Sequence, residues 1–231
     1  MTDLRFLDAK DTFLERAYLA LNNQFPSRDA FDAYFNGIKD DEQKNLFLKT
    51  ATFYLLFVKC GDWVVNVPDS DKVIDYLTNT YKYVAIFSLI ESLSREQFVD
   101  FFQFLTRLKS RVEFPIADRA TLDEHYEKYK QEFGSIRRCV SFFKALSLQR
   151  QRELLSRFEV KGSEPTIENL AKYLYEMRSK FVHEAALVLH MSDGMSIGMQ
   201  GGKIIVCSFS INDAMQFFEE GLVEHFRASE T

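Results

Sequence analysis

The chain has 231 residues, of which 46% are hydrophobic and 27% charged, with a net charge of −5 and a pI near 5.5. This is ordinary globular composition, enough for one large domain or a core with a substantial extension. It excludes a broadly basic nucleic-acid surface but not a small basic pocket that handles one phosphate. The low count of 9 Gly and 4 Pro argues against an all-β protein rich in tight turns, and 23 Phe point to a core built on phenylalanine. Cys60, Cys139 and Cys207 are odd in number and widely spaced, so they form neither a disulfide framework nor a zinc site. The first residues lack the apolar stretch of a signal peptide, and apolar runs such as 51–58 and 83–90 are too short to span a bilayer. The expectation is a cytoplasmic protein with no membrane association.

Helical periodicity begins near Asp8 and carries Phe13, Ala17, Leu19 and Leu21 before Pro26 stops it. A short helix is expected over 27–36, ended by Gly37, and a strongly buried one over 41–59 with Leu46, Phe47, Phe53, Leu56 and Phe57. Residues 60–68 read as a connection, with a short extended piece at 63–67. From Asp69 the pattern is helical again, through Val73, Ile74, Leu77 and Tyr81 into Val84, Phe87 and Ile90. Ser94 and Gln97 form a capping box that opens a helix with Phe98, Phe101, Phe102 and Leu105. After Pro115 comes a polar helix over 122–133. Gly134 then introduces 136–158, as one helix or as two broken near Ser147, and 161–165 is a loop.

A long amphipathic helix follows over 166–189. Beyond it, residues 194–209 read as a β-hairpin around Gly201 and Gly202, which supply the positive φ angles of a two-residue turn. Ser210 and Asp213 cap a last helix with Ala214, Phe217, Phe218, Leu222 and Phe226. The fold class expected is all-α, a helical bundle with a small β-hairpin before the C-terminal helix. The only plausible boundary is the connection at 60–68. It would divide a helical extension over residues 1–66, packed on the core, from a helical domain over 67–231.

The anomaly lies on the long helix. At about 100° per residue, Leu170, Leu174, Met177, Phe181, Ala185 and Val188 form one apolar arc, and Arg178 projects inside it, between Phe181 and Val182. An arginine there costs energy unless it is paired or functional. His183 projects from the polar side, with Lys172, Glu176 and His190. The two side chains stand about 140° apart on an ideal helix, so a joint site needs a bend, long reach or a second subunit. The spacing alone says little, since Arg119 and His125 nearly repeat it. Two readings stand side by side. Arg178 and His183 form a site, or Arg178 pairs with a carboxylate such as Glu91 to brace the bundle while His183 is an ordinary exposed residue. His190, two turns beyond His183, lines the same groove or sits on a solvated face. Glu184 tunes His183 or lies in solvent. The Phe98, Phe101, Phe102, Phe104 cluster is read as core, since base-stacking rings usually sit among basic residues. No Gly-rich phosphate loop, Ser–His–Asp pattern or carboxylate–His metal spacing on a helix is present, so no cofactor and no metal is expected.

The stretch Tyr173, Leu174, Tyr175, Glu176, Met177, Arg178, Ser179, Lys180, Phe181, Val182, His183, Glu184, Ala185 resembles the Arg-x4-His signature of the HEPN superfamily, most of all its Apea-like branch. The hairpin and closing helix are similar to that branch too. The likeness is good over 164–226 and extends to about 69, while residues 1–66 have no counterpart. After the arginine stands Ser179, where the family often has Asn or Asp. The resemblance implies a helical bundle that dimerises and brings two Arg–His motifs into one cleft. It further implies a metal-independent endoribonuclease, of the kind found among toxins and phage-defence effectors, with RNA as substrate and an antitoxin or defence-system protein as partner. Arg178 and His183 would be catalytic, with Ser179 and Glu184 supporting. RNA carries its own nucleophile, the 2′-OH, so the protein needs a proton acceptor, a proton donor and a cation for the phosphorane. An imidazole moves protons near neutrality, and a guanidinium holds two phosphate oxygens at once. The alternative is a non-catalytic helical module that binds RNA or another protein.

Overall fold

Ser27, Asp40, Asp118, Ser147 and Thr166 each stand one residue before a helix, and each side chain accepts a hydrogen bond from a backbone N–H two or three residues on. Each cap satisfies a donor that the helix itself leaves unpaired. The computed structural model describes residues 4–64, 67–94, 99–107, 116, 118–186, 188 and 190–227. In chain order these give α1 (Arg5–Asp8), α2 (Lys10–Leu21), a 3₁₀ turn at Asn22–Gln24, α3 (Arg28–Gly37) and α4 (Asp41–Tyr54), which runs into a π-helical turn at Leu55–Lys59. Then come α5 (Asp71–Ser92), α6 (Phe101–Arg107), α7 (Arg119–Phe133), α8 (Ser135–Ala145), α9 (Leu148–Leu155) and β1 (Phe158–Val160). The chain ends with α10 (Ile167–Glu184), α11 (His190–Asp193), β2 (Ser196–Gln200), β3 (Lys203–Cys207) and α12 (Ile211–Arg227). The protein is thus predominantly α-helical with one small sheet. No helix of the described residues is long and apolar enough to cross a membrane.

One buried apolar cluster runs through the bundle, from Ala17, Phe31 and Phe47 to Phe143, Leu174 and Phe218. Before residue 67 it takes in residues from Ala17 to Val58. Phe47 of α4 meets Phe226 of α12 edge-on at 5.4 Å, and Tyr54 lies 4.9 Å from Phe218. Aromatic pairs in such arrangements add to area burial, which is how a Phe-rich sequence fills its core.

A buried polar node ties the same helices together. Glu219 of α12, 4% exposed, accepts from Tyr54 Oη at 2.7 Å and Gln24 Nε2 at 3.3 Å, and pairs with Lys59 Nζ at 3.1 Å. Lys59 also donates to the Ala20 carbonyl at 2.7 Å. A buried carboxylate is tolerated only with such partners. Burial, and then the Glu219 charge, push the Tyr54 hydroxyl far above the usual tyrosine range.

The sheet has the order β1-β3-β2, antiparallel throughout. Gly201 and Gly202 take φ of 56° and 77°, closing the expected hairpin with the backbone that L side chains resist. Gly198 fits for a second reason: a Cβ there would lie 2.7 Å from Tyr173 Oη, so a larger residue would push the Tyr173 ring out of its place between β2 and α10. The capping box at the start of α12 forms as read, Ser210 N donating to Asp213 Oδ2 at 2.9 Å and Asp213 N to Ser210 Oγ at 3.3 Å.

Several expectations are corrected. Over 136–158 the structure has the two helices broken near Ser147, as one of the two readings gave it, but the end of the stretch is β1, a third strand hidden by its shortness. The single helix over 41–59 widens at Leu55, so Leu56 and Phe57 turn outward, 47% and 56% exposed. Leu19, Val73 and Phe102 are also surface residues. No extended piece forms at the described residues of 63–67. Gln97 of the capping box expected at Ser94 lies outside the described residues, as do Phe98, Pro115 and Leu189.

The thiols give a direct check on this packing. Cys60 is exposed, whereas Cys139 and Cys207 are buried, with burial pushing the Cys139 thiol up and the Cys207 thiol up to about 12. The thiolate is the reactive form, so at pH 8 a disulfide reagent should titrate Cys60 alone in the native protein and all three thiols in denaturant. Fast reaction of Cys139 or Cys207 without denaturant would contradict the packing of α8 on α10 and of β3 on the core.

Candidate functional site

The position of α10 is set by its first half. Thr166 caps it, and Leu170, Ala171, Tyr173 and Leu174 are buried. Tyr83 of α5 donates to the Leu174 carbonyl at 2.6 Å, and Cys139 Sγ of α8 approaches the Ala171 carbonyl at 3.6 Å. Held between α5 and α8, the helix carries Arg178 along the flank of the core and ends in solvent. The helix is shorter than the 166–189 that periodicity gives. It closes at Ala185, in the left-handed region with φ 54° and ψ 26°, where Ala185 N reaches the Phe181 carbonyl at 2.9 Å. Val188 packs into the core from beyond that closure, and Ala185 is exposed, so the last two members of the apolar arc do not lie on the helix. His190 opens the separate helix α11, which removes the reading of two histidines two turns apart on one face.

Arg178 sits at the edge of the core. Its side chain is 17% exposed, its Nη2 lies 3.6 Å from Glu91 Oε1, and its Cζ lies 5.5 Å from the centre of the Tyr175 ring. Glu91 is thus its carboxylate neighbour, as the bracing alternative has it. The contact is loose: Arg150 meets Glu220 at 2.8 Å and Arg157 meets Asp213 at 2.6 Å, within hydrogen-bond range, whereas 3.6 Å is outside it. Arg178 Nε and Glu91 Oε1 are both buried without a hydrogen-bond partner. Buried polar groups are normally satisfied, so this pair keeps bonding capacity in hand. Burial raises the Tyr175 hydroxyl, Ser135 opposes that shift by hydrogen bonding, and the Glu91 carboxylate adds to it.

His183 is on the last turn of α10, exposed, and turned about 140° from Arg178 by the regular 3.6-residue repeat. The structure does not bring the two side chains together within one chain. Ser179 is half-buried next to Arg178, and Glu184 is exposed next to His183. Arg119 and His125, the near-repeat of the motif, lie on α7, where Arg119 pairs with Asp123 in solvent. Among the described residues no group of three or more His, Cys, Asp or Glu side chains is placed to hold a metal ion.

Compared with known proteins, the chain matches no family model, no curated protein and no solved structure. The site therefore has to be read from its own geometry.

Two features near this helix end escape sequence reasoning. Phe181 contacts Tyr81 edge-on at 5.2 Å, Tyr81 stacks on Trp63 at 4.3 Å, and these outer rings are 38% and 45% exposed, with Val182 at 48%. Trp63 lies in the connection, where no periodicity reveals its partner. The second is Tyr175, over whose ring the Arg178 guanidinium lies. The Glu91 contact is testable. Glu91→Ala leaves a half-buried guanidinium beside an apolar wall and should lower stability by about 1–3 kcal/mol, whereas Glu91→Asp should cost less. Equal urea midpoints for wild type and Glu91→Ala would show that Arg178 does not depend on this carboxylate.

Proposed function

We propose that this protein is a HEPN-like, metal-independent endoribonuclease that cuts RNA at a cleft formed by two copies of the chain. The observation that carries the reading is the state of Arg178: it is half-buried in an otherwise apolar arc, 3.6 Å from its carboxylate, with Nε unused. A guanidinium held that loosely keeps the donors that a phosphate accepts bidentately. The exposed His183 lies five residues on, at the helix end, where Val182 is exposed too and the exposed Trp63–Tyr81 pair meets the helix at Phe181. Exposed apolar surface of this kind marks an interaction face, and we place the second copy there, where it would bring a second His183 toward the first.

In that cleft one His183 takes the proton of the ribose 2′-OH, whose oxygen attacks the adjacent phosphorus. Arg178 holds the non-bridging oxygens as charge builds on them. His183 of the second copy gives a proton to the departing 5′-oxygen. The products are a 2′,3′-cyclic phosphate and a 5′-hydroxyl, with no water or metal consumed in the step. One histidine per chain thus serves as acid and base through two-fold symmetry. The setting that fits such an activity is a toxin or phage-defence effector, held in check by an antitoxin or released by a defence-system partner.

One observation favours a second reading, a non-catalytic helical module that binds RNA or a protein: Glu91 does neighbour Arg178 and links α10 to α5. Cleavage of single-stranded RNA in EDTA separates the two. Wild type should yield 2′,3′-cyclic phosphate ends, and His183→Ala, an exposed substitution, should slow cleavage by about 100-fold or more. Arg178→Lys keeps a cation beside Glu91 but loses the bidentate fork and should also be slow. Cleavage at the wild-type rate by both variants would rule out the nuclease assignment, and RNA binding without any cleavage by wild type would favour the module.

A further inference from the structure

On the side of α10 that faces α7 and α8 lies a groove of about 780 Å³, within the ~300–1,000 Å³ of small-molecule and cofactor sites. Its walls differ in chemistry. From α7 come Tyr126 and Tyr129, whose ring planes lie within 21° of each other at 6.3 Å, and Tyr126 is 45% exposed. They are backed by Phe101 of α6, at 5.3 Å from Tyr126 and 5.4 Å from Tyr129. From α8 and α10 come Lys144 and Lys172, which share a single carboxylate: Lys172 reaches Glu168 at 2.8 Å and Lys144 reaches it at 3.4 Å. Lys130 and Glu127 of the groove pair with each other, so the two lysines on Glu168 leave local positive charge in a protein of net −5. Tyr175, the ring over which Arg178 lies, also lines the groove.

Parallel rings and under-neutralised lysines on opposite walls suit a ligand that is aromatic on one side and anionic on the other, which is the build of a nucleotide. Bases stack on aromatic side chains with little regard to sequence, and phosphates track the cations. We infer that this groove binds single-stranded RNA, with bases on Tyr126 and Tyr129 and phosphates on Lys144 and Lys172, and leads the strand past Tyr175 to Arg178. The inference deepens the nuclease reading and rests on it for the direction of the strand. The pairing of two lysines with one Glu168 gives the groove its capacity: a phosphate entering there completes the neutralisation that one carboxylate leaves half done.

The test is fluorescence anisotropy with a labelled oligo(A) 12-mer, using His183→Ala protein as the non-cleaving background. Lys144→Ala/Lys172→Ala should weaken binding and flatten the dependence of log affinity on log salt by about 1.4, since each phosphate contact on a single strand contributes about 0.7. Tyr126→Ala, a surface truncation, should weaken binding about tenfold with little change in salt slope. The pair Lys128→Ala/Lys161→Ala removes the same charge outside the groove and should change neither. Equal weakening by the two lysine pairs, or none by the groove pair, would overturn the inference. So would AMP displacing the oligomer at the oligomer's own affinity, which would make the groove a mononucleotide site. Groove variants that bind like their parent while His183 is needed for cleavage remove the groove and leave the nuclease. Loss of binding in the groove variants with cleavage indifferent to His183 removes the nuclease and leaves the groove.

Discussion

A spacing of five residues decides two things in this structure, with opposite results. At Tyr54 and Lys59 the helix widens into a π-helical turn, closed by Cys60 N to the Leu55 carbonyl at 2.8 Å. Such a turn bonds each residue to the fifth along and brings side chains five apart toward the same side of the helix. Tyr54 and Lys59 therefore both reach Glu219, at 2.7 and 3.1 Å. In a regular helix they would diverge by about 140°, and Glu219 would lose its charge partner or its hydroxyl. A buried carboxylate left without its cation costs roughly 3–5 kcal/mol. The Glu219 node joins the helices before residue 60 to α12, beside the Phe47–Phe226 contact, and α12 in turn packs on α5 and α8, the helices that hold α10.

At Arg178 and His183 the same spacing falls on a regular α-helix, and no widening intervenes before the closure at Ala185. The arginine stays with Glu91 and Tyr175 at the edge of the core, and the histidine goes to solvent. A chemistry that uses both groups is therefore not complete in one chain. The proposed activity turns this into a requirement for symmetry, with the exposed surface formed by Trp63, Tyr81 and Val182 as the place where two copies would meet. The groove between α7, α8 and α10 extends the same account toward substrate. It sets Lys144 and Lys172 on one carboxylate in an acidic protein, so a net charge of −5 is compatible with the proposed path for a phosphate chain.

Much of the fold is legible in the sequence because its signals are local. Ser27, Ser147 and Thr166 act as caps, Gly201 and Gly202 close the hairpin, and Ser210 and Asp213 bond reciprocally at the start of α12. What stays hidden depends on partners distant in the chain. The π turn has no signature in residues 55–59, and Glu219, the partner that Tyr54 and Lys59 share, stands 165 positions beyond Tyr54. The strand Phe158–Val160 is too short for alternation to show and exists through pairing with β3. The end of α10 is missed because Val188 continues the apolar spacing, although it reaches the core from outside the helix. For the candidate site, projection places Arg178 on the core flank and His183 in solvent, and Glu91 is the neighbour that the bracing alternative names. The aromatic wall of the groove is masked by its setting: Tyr126 and Tyr129 belong to a helix that reads as polar, and only α6 and α8 beside it make them part of a cavity.

The central claim is that one catalytic centre draws a histidine from each of two chains. It is tested most directly by a heterodimer of wild-type and His183→Ala chains, co-expressed with different tags and purified through both. If His183 from each chain serves as acid and base in one cleft, the heterodimer cleaves RNA at a rate near that of the His183→Ala homodimer. Retention of half the wild-type rate would mean that each chain works alone, and would contradict the account.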